Sequence, residues 1–150
     1  MTITTYTFWL RVAAVMQLIT ALIHSLSLFV KPEPASDIER QIFIMVESYR
    51  FDLGGGFHQP LGDLMTGLSM CFCLFFLLGG SVSLFLLRKR AAPDLISGIV
   101  DIYIVAYGFC FVWMMLFTFL PPIVLSGTVF LALVITRFAI FRKGVLKGEA

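Results

Sequence analysis

Four ionisable side chains stand inside otherwise apolar stretches of this 150-residue chain: Arg11, His24, Asp101 and Arg137. In a segment of membrane length such a group is costly, so it reads first as a functional candidate. At 1.5 Å rise per residue, Arg11, Asp101 and Arg137 all fall about 5–9 Å inside one end of their stretches. Asp101 can therefore pair with either arginine or with both. One reading is an ion-pair clamp that ties three helices together while one arginine reaches for the headgroups. The sharper reading is a proton or anion site. His24 lies toward the other end of its stretch, where an imidazole titrating near neutral pH suits acid–base work.

His24 is also part of a polar stripe. Ala13, Gln17, Thr20, His24 and Ser27 recur at spacings of four and three, which on a helix confines them to an arc of about 80°. Thr66, Ser69, Cys73, Gly80 and Ser83 form a comparable stripe further on. Lipid cannot satisfy such groups, so both stripes must face protein or a wet cavity. Hydrogen-bonded helix packing is one outcome. A small ligand pocket built from Gln17, Thr20, His24, Ser27, Ser69 and Cys73 is the other. Ser97, Asp101 and Gly108 share a face as well, and small residues there admit a close neighbour.

The elements that carry these residues follow from hydropathy. Apolar residues make up 59% of the chain and charged ones 13%, with mean hydropathy +0.97; soluble domains run at about 45–50% and roughly 25%. A soluble enzyme and a disordered regulator do not fit that balance. A net charge of +2 with dispersed basic groups gives no footing for nucleic acid. A bilayer core needs roughly 20 apolar residues per helix, and four stretches qualify: 8–30, 64–87, 95–120 and 122–141. Pro121-Pro122 separates the last two, which would otherwise form one helix about 70 Å long. The first stretch is expected to be a retained span, since its apolar run is too long for a signal peptide and no basic cluster precedes it.

Arg88-Lys89-Arg90 lies between spans two and three, and Arg142, Lys143 and Lys147 follow span four. Residues 31–63 instead carry three basic and six acidic groups. Positive charge faces the cytoplasm, which predicts cytoplasmic termini and an outer loop at 31–63. Within that loop Ser36 and Glu39 have capping-box spacing, and Ile38, Ile42, Met45 and Tyr49 form an apolar stripe. An amphipathic helix over about 37–51 is expected, lying in the membrane interface or covering the outer end, as a lid, a gate or a docking surface. Gly54-Gly55-Gly56 ends it.

No metal or cofactor is expected: H-x-x-x-H, C-x-x-C and EF-hand spacings are absent from the sequence. Cys71 and Cys73 point about 200° apart on a helix and cannot bridge without strain. His58 precedes span two in a Gly-rich stretch and reaches His24 only if the loop folds back.

Ala21-Leu22-Ile23-His24-Ser25-Leu26, Tyr49-Arg50-Phe51-Asp52 and Gly62-Asp63-Leu64-Met65-Thr66-Gly67-Leu68-Ser69 together resemble a family of small four-span bacterial membrane proteins. The resemblance covers most of the chain. It implies a bacterial inner membrane and brings no known activity or catalytic residue.

The expected fold is all-α, a single up-down four-helix membrane bundle with both termini cytoplasmic. The expected function is non-catalytic: a homo-oligomer or an accessory subunit of a membrane complex, with a lipophilic-ligand pocket under the outer loop. Two alternatives stand beside it. One is an intramembrane enzyme moving protons at His24, where Asp52 or Asp63 helps only if the outer loop tucks inward. The other is a small transporter or channel along the first polar stripe.

Overall fold

Apolar runs of membrane length can satisfy every backbone N–H and C=O within one segment as an α-helix, and a computed structural model of the chain is all-helical among the described residues. It describes residues 5–30, 33–52, 54–56 and 58–148, except for the side chains of Ser27 and residues 143–148. The pocket candidacy of Ser27 and the basic tail at Lys143 and Lys147 therefore lie outside the described side chains. Five helices follow in order: α1 (Thr5–Ser27), α2 (Asp37–Ser48), α3 (Leu61–Arg88), α4 (Pro93–Phe117) and α5 (Leu120–Gly148). All but α2 are long and apolar enough to cross a membrane. Among the described residues no strand forms; a single bridge joins Arg50 to Pro60.

The helix ends shift from the expected bounds for local reasons. Pro121 and Pro122 do not form the turn between the last two long helices; they sit in the first turn of α5. Proline is tolerated there because that turn's N–H groups have no helical acceptor. The break falls at Thr118-Phe119 instead, with Thr118 N and Oγ1 both donating to Met114 O at 3.0 and 2.7 Å. At the end of α3, Ala91 N donates to Leu86 O at 3.0 Å and Arg90 N to Leu87 O at 3.2 Å. Those two bonds make a Schellman turn, whose left-handed position glycine usually takes. Arg90 occupies it here at φ 52°.

The chain divides into two compact units, residues 1–20 with 76–150, and residues 21–75. In the first unit a narrow face of each long helix is buried: Leu10, Ala13, Ala14 and Gln17 of α1; Phe76, Ser83 and Leu86 of α3; Ile96, Val100 and Tyr107 of α4; Val129, Ala132, Leu133 and Thr136 of α5. Their three- and four-residue spacing is one helical stripe apiece. Large apolar side chains remain outside, Val105 at 74% exposure and Phe109 at 68% among them. That is the surface a lipid solvent requires.

The α4–α5 seam is set by glycines. A Cβ at Gly108 would stand 2.9 Å from Phe130 Cε2, and one at Gly127 would stand 2.8 Å from Phe111 Cε2. Each helix thus receives the other's phenylalanine, and the two rings stack at 5.9 Å with an 18° interplanar angle. Seven residues before Gly108 lies Asp101, and seven after Phe130 lies Arg137, which also meet. Climbing α4 by a heptad descends α5 by one, so this pair is antiparallel.

In the second unit α2 is shorter than the expected 37–51 and ends at Ser48. Ser36 caps it, its Oγ accepting from Glu39 N at 3.2 Å, while Glu39 Oε2 accepts from Ala35 N at 2.7 Å, one residue before the cap itself. The expected stripe of Ile38, Ile42, Met45 and Tyr49 is 50–71% exposed, with the Tyr49 ring set edge-on to Phe51 at 5.0 Å. Contact with α3 is made by Val46 instead, whose carbonyl oxygen would lie 3.4 Å from a Cβ on Gly62. The Gly-rich segment is a closed loop. Leu61 N donates to Tyr49 O at 3.1 Å, Phe51 N to Gln59 O at 3.3 Å, and Arg50 Nη1 to His58 O at 3.0 Å. Three successive glycines with φ between 63° and 83° turn its tip, a conformation that costs other residues roughly 1–2 kcal/mol each.

Candidate functional site

The pocket candidates fall into both units. In the first, Gln17 and Thr20 are buried at 0% and 3% exposure. Thr20 spends its hydroxyl on its own helix, Oγ1 donating to Met16 O at 2.7 Å. Thr136, Thr66 and Ser126 do the same, donating to Ala132, Gly62 and Pro122 at 2.7–2.8 Å. Such back-bonding satisfies a span hydroxyl without a neighbouring helix. Gln17 has no such outlet. Among the described residues, neither its Nε2 nor its Oε1 makes a hydrogen bond of good geometry, although the Tyr107 hydroxyl lies beside it, and Ser83 Oγ likewise makes none.

Gln17 converges with Tyr107 on Gly79. A Cβ there would overlap the Tyr107 hydroxyl and come within 2.8 Å of Gln17 Nε2. Tyr103 adds a long bond, its hydroxyl donating to Gly79 O at 3.4 Å. The Phe76 and Tyr103 rings flank Tyr107 edge-on at 5.1 and 5.7 Å. A polar knot thus forms in the interior from Gln17, Tyr103 and Tyr107, around a glycine without which it has no room. Sequence reasoning singled out Gln17 and Ser83 by their spacing but missed both tyrosines and Gly79. The available signal was the Gly79-Gly80 pair inside a span, together with tyrosines four apart on α4.

An unpaired buried hydroxyl forfeits its bond to water without recovering one. Ser83→Ala therefore leaves stability unchanged or raises it by up to about 1 kcal/mol. Thermal unfolding in detergent measures this, and a loss above that size would show that the hydroxyl holds a bonded role.

The ionisable candidates separate. Arg137 Nε donates to Asp101 Oδ1 at 2.6 Å, with the side chains 37% and 51% exposed. Among the described residues, no ion pair joins Arg11 to this carboxylate, and Arg11 is exposed on α1. The pair therefore joins α4 to α5 rather than tying three helices.

In the second unit the His24 ring lies against Phe72 at 4.7 Å. Cys73 is buried, Cys71 exposed, and Ser69 half-buried. Ser69 and Thr66 line an open groove of about 730 Å³ together with Leu28, Phe43, Val46 and Met65, and with the carboxylates of Glu47 and Asp63. His24 is not among the groove's lining residues. His58 is exposed beside Asp52, Nδ1 to Oδ1 at 4.0 Å. Among the described residues no three of His, Cys, Asp and Glu gather as metal ligands would.

In comparison with known proteins, no family model, no curated protein and no solved structure matches this chain.

Proposed function

We propose that this chain is a non-catalytic integral membrane protein that holds a lipophilic small molecule in the groove beside α2. The groove itself carries the reading. Its 730 Å³ falls within the 300–1,000 Å³ typical of small-ligand pockets. Apolar walls from Leu28, Phe43, Val46 and Met65 meet a few hydroxyls and carboxylates, the mixed lining that binds an amphiphile and fixes its orientation. The four long helices cross a bacterial inner membrane up and down, with the Arg88-Lys89-Arg90 turn and both termini on the cytoplasmic side. On this topology α2 and the groove are at the outer surface, and the open stripe of Ile38, Ile42 and Met45 rests in the interface. The protein works as a homo-oligomer or as an accessory subunit of a membrane complex, and belongs with the small four-span proteins it resembles.

Native mass spectrometry of protein released gently from its own membrane tests this. The wild type carries one discrete small-molecule adduct, and Ser69→Phe, which fills the groove, loses it while unfolding at the same temperature. Heterogeneous phospholipid alone on both proteins would sink the ligand reading.

A further inference from the structure

The Asp101–Arg137 pair sits in an unusual place for a charge pair. Both residues belong to helices of membrane length, yet their side chains are one-third to one-half exposed on the surface of their unit. Beside them opens a crevice of about 410 Å³ lined by Ile104, Val134, Phe138 and Phe141, with Arg137 as its charged wall among the described residues. Val134, Arg137, Phe138 and Phe141 follow one face of α5 at helical spacing, and Ile104 stands three residues beyond Asp101 on α4. Phe138 and Phe141 are themselves 64% and 61% exposed. The feature is thus an open apolar trough with a guanidinium at its side.

The geometry points to a binding site for an anionic phospholipid, with an acyl chain in the trough and the phosphate on Arg137. A guanidinium carries five N–H donors, and the bond to Asp101 uses the one on Nε. The edge formed by the two Nη groups remains, and its spacing matches two phosphate oxygens. Asp101 has a positioning role: it fixes the guanidinium plane. Arg137 lies five residues before Arg142, where the apolar window ends, so its Cα is about 7.5 Å inside that end. The bond to Asp101 holds the guanidinium near that depth, so the phosphate settles inward to meet the Nη edge. The site rests on the membrane-spanning reading but is independent of the groove beside α2.

The test uses the full chain in nanodiscs of phosphatidylcholine doped with phosphatidylglycerol, with retained lipid read by native mass spectrometry. The wild type keeps phosphatidylglycerol in preference to phosphatidylcholine. Arg137→Gln loses about tenfold of that preference, the worth of one charge-assisted contact. Arg137→Lys, which keeps the charge but not the planar edge, falls between. Val134→Trp fills the trough without touching the ion pair and lowers retention of both lipids, so the result does not depend on Arg137→Gln folding well. Arg142→Gln leaves the preference in place. Equal retention by wild type and Arg137→Gln overturns the site. So does a dimer whose Asp101 and Arg137 surfaces cross-link to each other, since a second copy then covers the trough. A chain that alkaline carbonate strips from its own membrane defeats the membrane reading and the lipid site together, whereas an inserted chain indifferent to headgroup defeats only the site.

Discussion

Gly79→Ala lowers the stability of the protein by about 2 kcal/mol, within the range for forcing a methyl into a filled interior. The same change at Gly98 costs nothing or stabilises, because a Cβ there meets no atom within 4 Å and alanine is the better helix former by about 1 kcal/mol. The contrast isolates packing from helix propensity, which acts alike at both positions. At Gly79 the added carbon would overlap the Tyr107 hydroxyl, with Gln17 Nε2 at 2.8 Å and Tyr107 Cζ at 3.0 Å behind it. Tyr107 cannot swing clear, being 1% exposed and flanked by two aromatic rings. Tyr107→Phe should therefore restore part of the loss in the Gly79→Ala background, with a coupling of about 1 kcal/mol. Unfolding of the four proteins in mixed detergent gives the cycle. Equal stability of Gly79→Ala and Gly98→Ala would show that the knot yields.

The second large effect is at the α4–α5 seam. Asp101→Ala and Arg137→Ala each destabilise by about 2 kcal/mol, and the double variant loses scarcely more than either single one. A water-exposed pair contributes roughly 0–1 kcal/mol, while breaking a buried pair costs about 3–5 because a charge is left alone. The pair is half-exposed, but its surroundings are exposed apolar side chains on helices long enough to cross a membrane, which places it between those limits. Arg11→Ala leaves the Asp101–Arg137 coupling unchanged, since Arg11 is no partner of this carboxylate. Additive losses in the double variant would mean that each charge finds water or headgroups without the other.

Several of these features are legible in the sequence. The capping box at Ser36 and Glu39, the number of long helices and the opposed directions of Cys71 and Cys73 are local consequences of residue type and helical period. The stripe of Ile38, Ile42, Met45 and Tyr49 was legible as a pattern, but not its fate. Periodicity states which residues share a face, and cannot state which of two apolar faces meets α3. Val46 makes that contact, with its carbonyl oxygen and Cγ1 set over Gly62.

The break between the last two spans shows the same division. Pro121-Pro122 announced that one helix could not continue through, since proline lacks the N–H a helix interior needs. Where the chain turned was decided by Thr118, whose hydroxyl and amide close the end of α4 on Met114 and leave the prolines in the one turn that tolerates them.

Composition and period determined that this chain is helical, apolar on its outside and provided with few, conspicuous polar groups, because backbone satisfaction and hydrophobicity act within a segment. Which arginine Asp101 takes and which glycines hold another helix's ring were decided by tertiary structure alone. Those outcomes depend on the register between helices distant in sequence. Only when Gly108 meets Phe130 does the next heptad bring Asp101 to Arg137.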